Sequence, residues 1–150
     1  MLRIFFIIFI ALIAQLQIIP LFNLPVDFLL IITLYYGFLY GWNIGAGVGL
    51  LSGILQDIFS GSVLGLSSVG LFICGLLAGY SRQILLLRYW TVRVALVFLF
   101  TITNMLIYVI IAQIFMQIDF FYVFSKKWFI MSFWNVLFSG FIFWTIDRYE

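Results

Sequence analysis

Long stretches of this chain run almost without charge, and that pattern constrains its fold more than any other feature. Ile4 to Phe22 carries no charged side chain. Phe28 to Phe59 carries only Asp57, Thr91 to Ile118 only Arg93, and Trp128 to Ile146 none. Roughly 20 apolar residues span the hydrocarbon core of a bilayer, and each of these stretches reaches or exceeds the order of that length. Composition enforces the same conclusion: 67% of the 150 residues are apolar, 8% are charged and the mean hydropathy is +1.30. A water-soluble surface needs about 25% charged residues, so lipid is the expected solvent for this one.

The expected fold is therefore all-α, a single transmembrane domain over residues 1–150 built as a bundle of about six membrane-spanning helices. The first apolar run follows Met1-Leu2-Arg3 and passes through Gln15 and Gln17 to Pro20 without a small-residue cleavage site. It reads as a retained first span, not a secretory signal. Asn23, Pro25 and Asp27 make a polar turn, because residues before proline avoid the helical region. As one helix, Phe28 to Phe59 would be about 48 Å long at 1.5 Å per residue, too long for one ordinary span. Its glycines divide it near Gly41-Trp42-Asn43 into spans at Phe28 to Tyr40 and Ile44 to Ile58. The remaining spans are Val63 to Tyr80, ending at Ser81-Arg82, then Thr91 to Ile118 and Trp128 to Ile146.

Charge placement supports the even count. Lys and Arg collect in short cytoplasmic loops. With six spans and both termini inside, Arg3, Arg82, Arg88, Arg93 and Arg148 are cytoplasmic, and only Lys126 and Lys127 lie outside. Merging Phe28 to Phe59 would spoil that bias. Trp42, Tyr89, Trp90, Trp128, Trp144 and Tyr149 fall near span ends, as interfacial anchors do.

Several chemistries are excluded or disfavoured. The chain has no histidine, so imidazole zinc sites and Ser-His-Asp triads are ruled out. Cys74 has no second cysteine with which to form an intramolecular disulfide. The net charge of +2 is too small to argue for nucleic acid. Ionisable groups are too few for ordinary acid/base catalysis, so a non-enzymatic role without a cofactor is expected.

One pattern stands above generic hydropathy: Gly41, Gly45, Gly49 and Gly53 at four-residue spacing, then Gln56-Asp57, Gly61 and Gly65. Glycines four apart share a helix face and admit a neighbouring backbone closely. The partner lies either in this chain or in another protein. Asp57 is costly at membrane depth, about 2.5 to 3.5 kcal/mol at a span centre. It either couples to a partner or sits at the outer end of its span, pairing with an amide of the Ser60-Gly61-Ser62 turn. Gln15, Gln17, Asn104, Gln113 and Asn135 read as interhelical hydrogen-bonding groups.

Pro25-x-Asp27, the glycine run through Gly41, Gly45, Gly47 and Gly49, then Gly49-Leu50-Leu51, Asp57, Gly61 and Leu64-Gly65 together resemble the bacterial rod shape-determining protein MreD family. The resemblance covers roughly Pro25 to Gly79. It implies a non-enzymatic subunit of the peptidoglycan-elongation machinery in the cytoplasmic (inner) membrane. Such a subunit pairs with the bitopic protein MreC and acts with MreB, a RodA-type polymerase and a class B penicillin-binding protein. It also implies an architecture similar to the substrate-binding component of energy-coupling-factor transporters. On this sequence the ladder and Asp57 would serve packing or partner contact, and Arg82, Arg88 and Arg93 would form a basic cytoplasmic loop. A rival expectation is a membrane subunit of a small-solute or vitamin transporter, with Gln56 and Asp57 lining the cavity.

Overall fold

In the computed structural model, residues 2–18, 26–84, 89–116 and 127–149 are described. They form six α-helices and no strand: α1 (Leu2–Ile13), α2 (Phe28–Tyr40), α3 (Trp42–Ser60), α4 (Leu66–Ile84), α5 (Trp90–Met116) and α6 (Lys127–Tyr149). The π-helical turn Ala14–Ile18 extends α1. Pro25, Arg88 and Lys126 lie outside the described residues, as do the side chains of Arg3, Lys127, Trp128, Arg148 and Tyr149.

The expected six helices are present, with shifted boundaries. The break in the long apolar run is narrower than Gly41-Trp42-Asn43, because helix resumes at Trp42. Gly41 alone makes it, at φ +91°, a backbone conformation that strains any residue with a Cβ. The fourth helix begins at Leu66, not Val63, because the chain first turns through Gly61 and Gly65, both at positive φ. That helix then runs through Ser81-Arg82 to Ile84.

Length and composition separate the helices. Among the described residues only one helix is by itself long and apolar enough to cross a membrane, the Trp90–Ile114 part of α5. Helix α2 and the apolar parts of α1 and α6 are shorter, and glycine, serine and polar residues dilute α3 and α4.

Helix α2 is the centre of the bundle. Leu29, Leu30, Ile31, Thr33, Leu34, Tyr36, Gly37 and Phe38 are buried on several of its faces, and it touches each of the other five helices. Apolar packing joins it to the shell: Phe38 meets Phe100 of α5 and Phe143 of α6, while Tyr35 stacks on Phe143 at 6.0 Å. The outside is equally apolar, with Phe6, Ile10, Leu51, Leu99, Ile114, Phe133 and Phe141 exposed.

The closest pairing is α3 against α4, and it consumes the middle of the glycine ladder. A Cβ on Gly45 would meet the Gly75 carbonyl, one on Gly49 the Leu71 carbonyl, and one on Gly53 the backbone of Ser68. The fit is reciprocal, since a Cβ on Gly75 would strike the Gly45 carbonyl and one on Gly79 the backbone of Trp42. These are backbone obstacles that cannot swing aside, so small residues on both helices set the approach. Gly47, on the outer face, has nothing within 4 Å of its Cβ position.

Candidate functional site

Two buried aspartates organise the same end of the bundle, where α2, α4 and α6 begin and α3 finishes. Asp57 sits in the last turn of α3 and is only 1% exposed. Its backbone carbonyl accepts from Ser62 N (3.2 Å), while Gly61 N donates to Ile58 O (3.4 Å). With Gly61 left-handed, this is the paired closure that satisfies the carbonyls of a helix end.

The Asp57 side chain opens the next helix. Oδ1 accepts from Ser67 N (2.9 Å), and Oδ2 from Gly65 N (2.9 Å), Ser68 N (3.2 Å) and Ser68 Oγ (2.7 Å). Ser62 Oγ adds a contact to Oδ1 at 3.2 Å. A helix leaves its first four N–H groups without intrahelical acceptors. In α4, Leu66 N finds Val63 O, Val69 N finds Gly65 O, and Asp57 takes the two between. Carboxylate charge also suits the positive end of the helix dipole.

The second aspartate, Asp27, is 3% exposed and caps α2 from the residue before it, Oδ1 accepting from Leu30 N at 3.1 Å. Its own N–H donates to Asn135 Oδ1 of α6 (2.8 Å), and Asn104 Nδ2 of α5 reaches Oδ2 at 3.5 Å. Asn135 Nδ2 continues to Thr101 Oγ1 (3.4 Å), and Gln15 Oε1, in the π-helical turn, accepts from Leu29 N (3.2 Å). Burial pushes the Asp27 carboxyl above the ordinary carboxylate range, against the opposing Leu30 and Leu29 N–H groups and the Gln15 amide.

Beside Asp27 lies a cavity of about 220 Å³ lined also by Gln56, Ser67, Asn104, Met105, Tyr108 and Met131. The Gln56 Oε1 atom is buried there without a hydrogen-bond partner. No lining residue is basic, and among the described residues no group of three or more His, Cys, Asp or Glu is placed to hold a metal ion.

The structure thus sorts the expected site residues by role. Gly45, Gly49 and Gly53 form the seam with α4. Gly41, Gly61 and Gly65 are turn positions with open space around them, so backbone conformation, not packing, requires glycine there. Asp57 pairs with backbone amides, as one of its two readings held, but with those of residues 65–68 and not of Ser60-Gly61-Ser62. It does not line the cavity, whereas Gln56 does. The basic loop needs correction: Arg82 ends α4, and Arg93 lies in the first turns of α5, buried, with its guanidinium 5.4 Å from the Phe143 ring centroid.

Sequence reasoning put Asp27 in a turn and in the family motif and read Gln15, Asn104 and Asn135 as interhelical hydrogen-bonding groups, without joining the two, and these four meet. An acidic residue directly before an uncharged helical run is an N-cap signal. It marks Asp27, but nothing in the spacing brings α5 and α6 to it. Gln17 and Gln113 are exposed. No family model, curated protein or solved structure matches this chain.

Proposed function

We propose that this chain is a multi-pass protein of the bacterial cytoplasmic membrane, with both termini inside, acting as a scaffold subunit of the peptidoglycan-elongation complex. In this reading it holds an MreC-like bitopic partner by helix packing and works beside MreB, a RodA-type polymerase and a class B penicillin-binding protein. The motif from Pro25 to Gly79 is the source of the family assignment. The observation that supports a scaffold is the contrast between a seam closed by backbone contact and the open face of α5. Only 28% of the most apolar window of α5 is buried, leaving Phe98, Leu99, Ile102, Leu106 and Ile110 outward. Lipid can cover that face, and a single-span helix can replace the lipid.

Because α4 occupies the ladder, partner contact is assigned to the outer face of α5 and not to Gly45, Gly49 and Gly53. Depleting the protein in its host and imaging the cells tests the role. Loss of rod shape and widening are expected, and cells that keep their width would overturn it.

The cavity beside Asp27 favours a second reading, a membrane subunit that binds a small solute for transport. Accumulation of a labelled solute that depends on this chain, with cell shape unchanged on depletion, would select it over the scaffold.

A further inference from the structure

The lining of the cavity between α2, α3, α4, α5 and α6 is unbalanced in charge, with one acid and no base. The Asp27 carboxyl takes Asn104 Nδ2 on Oδ2 at 3.5 Å and the Gln15 amide beside it, and Gln56 Oε1 has no hydrogen-bond partner. One N–H of the Asn104 amide goes to Asp27, and its Oδ1 lies over Gly70, where a Cβ would collide with it. Tyr108 adds a phenol and a ring face, while Met105 and Met131 supply apolar wall. A buried acceptor left unsatisfied costs about 1–3 kcal/mol, and Gln56 Oε1 is one such atom beside the cavity. At roughly 30 Å³ per water, the space holds several waters or a molecule of comparable bulk.

We propose that this cavity binds a primary ammonium group on a short stem, held by Asp27 and Gln56 and covered by Tyr108. An ammonium offers three donors and no acceptor, which complements a carboxylate oxygen, an amide oxygen and a phenol. Its charge balances the one acid of the lining, and the Tyr108 face attracts a cation. A divalent metal ion fits worse, since such ions collect several carboxylates or many oxygen ligands. Phosphate and carboxylate ligands would meet Asp27 with no basic residue to hold them. The same group occurs in free amines and in the phosphatidylethanolamine headgroup. The inference stands on the cavity and needs neither the elongation role nor transport.

The test uses the full chain in nanodiscs, with unfolding followed by tryptophan fluorescence. In discs of phosphatidylglycerol alone, ethanolamine hydrochloride is titrated against an equal concentration of potassium chloride. In parallel, discs containing phosphatidylethanolamine are compared with phosphatidylglycerol discs. A saturable rise in Tm with free ethanolamine assigns a soluble amine, and a rise only in phosphatidylethanolamine discs assigns the lipid headgroup. Either supports the site if Asp27→Asn abolishes the rise and Gln56→Met weakens binding ~10-fold, about the loss of one hydrogen bond to a charged group. If Asp27→Asn fails to fold, Gln56→Met alone decides. No rise in either arm, an equal rise with potassium chloride, or a rise undiminished in Gln56→Met would overturn the proposal. Gln83→Ala, at the opposite end of α4, is expected to respond as the native chain does. Cell shape plays no part in the readout, so this result and the depletion experiment fail separately.

Discussion

The Asp57 carboxylate and the Ser68 hydroxyl stand 2.7 Å apart and tie the last turn of α3 to the first turn of α4. The same carboxylate holds the N–H groups of Gly65, Ser67 and Ser68, so one side chain ends one helix's surroundings and begins the next.

Replacing Asp57 therefore acts on stability through α4. Asp57→Asn keeps the shape but turns an NH2 donor toward a cluster of N–H donors. Asp57→Ala removes both acceptors. Losses of about 2 and 4 kcal/mol are expected, from hydrogen bonds to a charged group worth about 1.5–3 kcal/mol and orphaned buried amides at about 1–3 kcal/mol each. Thermal unfolding in detergent measures both, and an Asp57→Ala chain as stable as the native one would contradict the capping role.

Two neighbouring glycines are expected to behave oppositely. Gly49→Ala puts a methyl into the Leu71 carbonyl and forces α3 from α4, at the ~1–3 kcal/mol typical of overpacking. Gly47→Ala meets nothing and gains up to about 1 kcal/mol of helix propensity. Opposite shifts in unfolding midpoint are the check, and equal shifts would mean that the seam is not what sets the approach.

Asp27 makes stability depend on pH. Its folded-state pKa is raised above the ordinary 3.8 by burial, so the folded chain favours the neutral acid. The associated stability is fully present below about pH 3.8 and is lost as pH rises through the raised value. Its side-chain neighbours Gln15, Asn104 and Asn135 do not titrate. Unfolding of the native chain and of Asp27→Asn, measured in parallel from pH 4 upward without added amine, isolates the effect. The native chain is expected to lose stability relative to the variant as pH rises. The reverse slope would show that donors to the carboxylate outweigh its burial.

The bilayer reading predicts sidedness. Val63 and Gln83 are exposed at opposite ends of the α4 region. In intact cells, Val63→Cys is expected to react with a membrane-impermeant thiol reagent, and Gln83→Cys only after permeabilisation. The native Cys74 is buried and stays silent. Labelling of both from one side would exclude the proposed topology.

Apolar run length and charge placement made the helices legible in the sequence, because a missing charge over a span is a local property. The glycine spacing also foretold a tight helix pair, but not that α4 supplies the other half. Gly75 and Gly79 repeat the spacing on α4 and were the available clue. Asp27 escaped because its importance is tertiary: Asn104 and Asn135 lie far along the chain, and only packing brings them to one carboxyl. Arg93 was misplaced for a related reason, since a positive charge near a predicted loop reads as solvated until Phe143 is seen beneath it.

Helix α2 has 13 residues, about 20 Å at 1.5 Å per residue, whereas its neighbour α5 has 27, about 40 Å. At the Asp27 end α5 runs on from Asn104 to Met116, and α6 begins at Lys127, eight residues before Asn135, so both stand past the cap. A helix this short sets its N-cap well inside the length of its tallest neighbours, so the capping aspartate of α2 meets side chains from the middle of α5 and α6 and not from their ends.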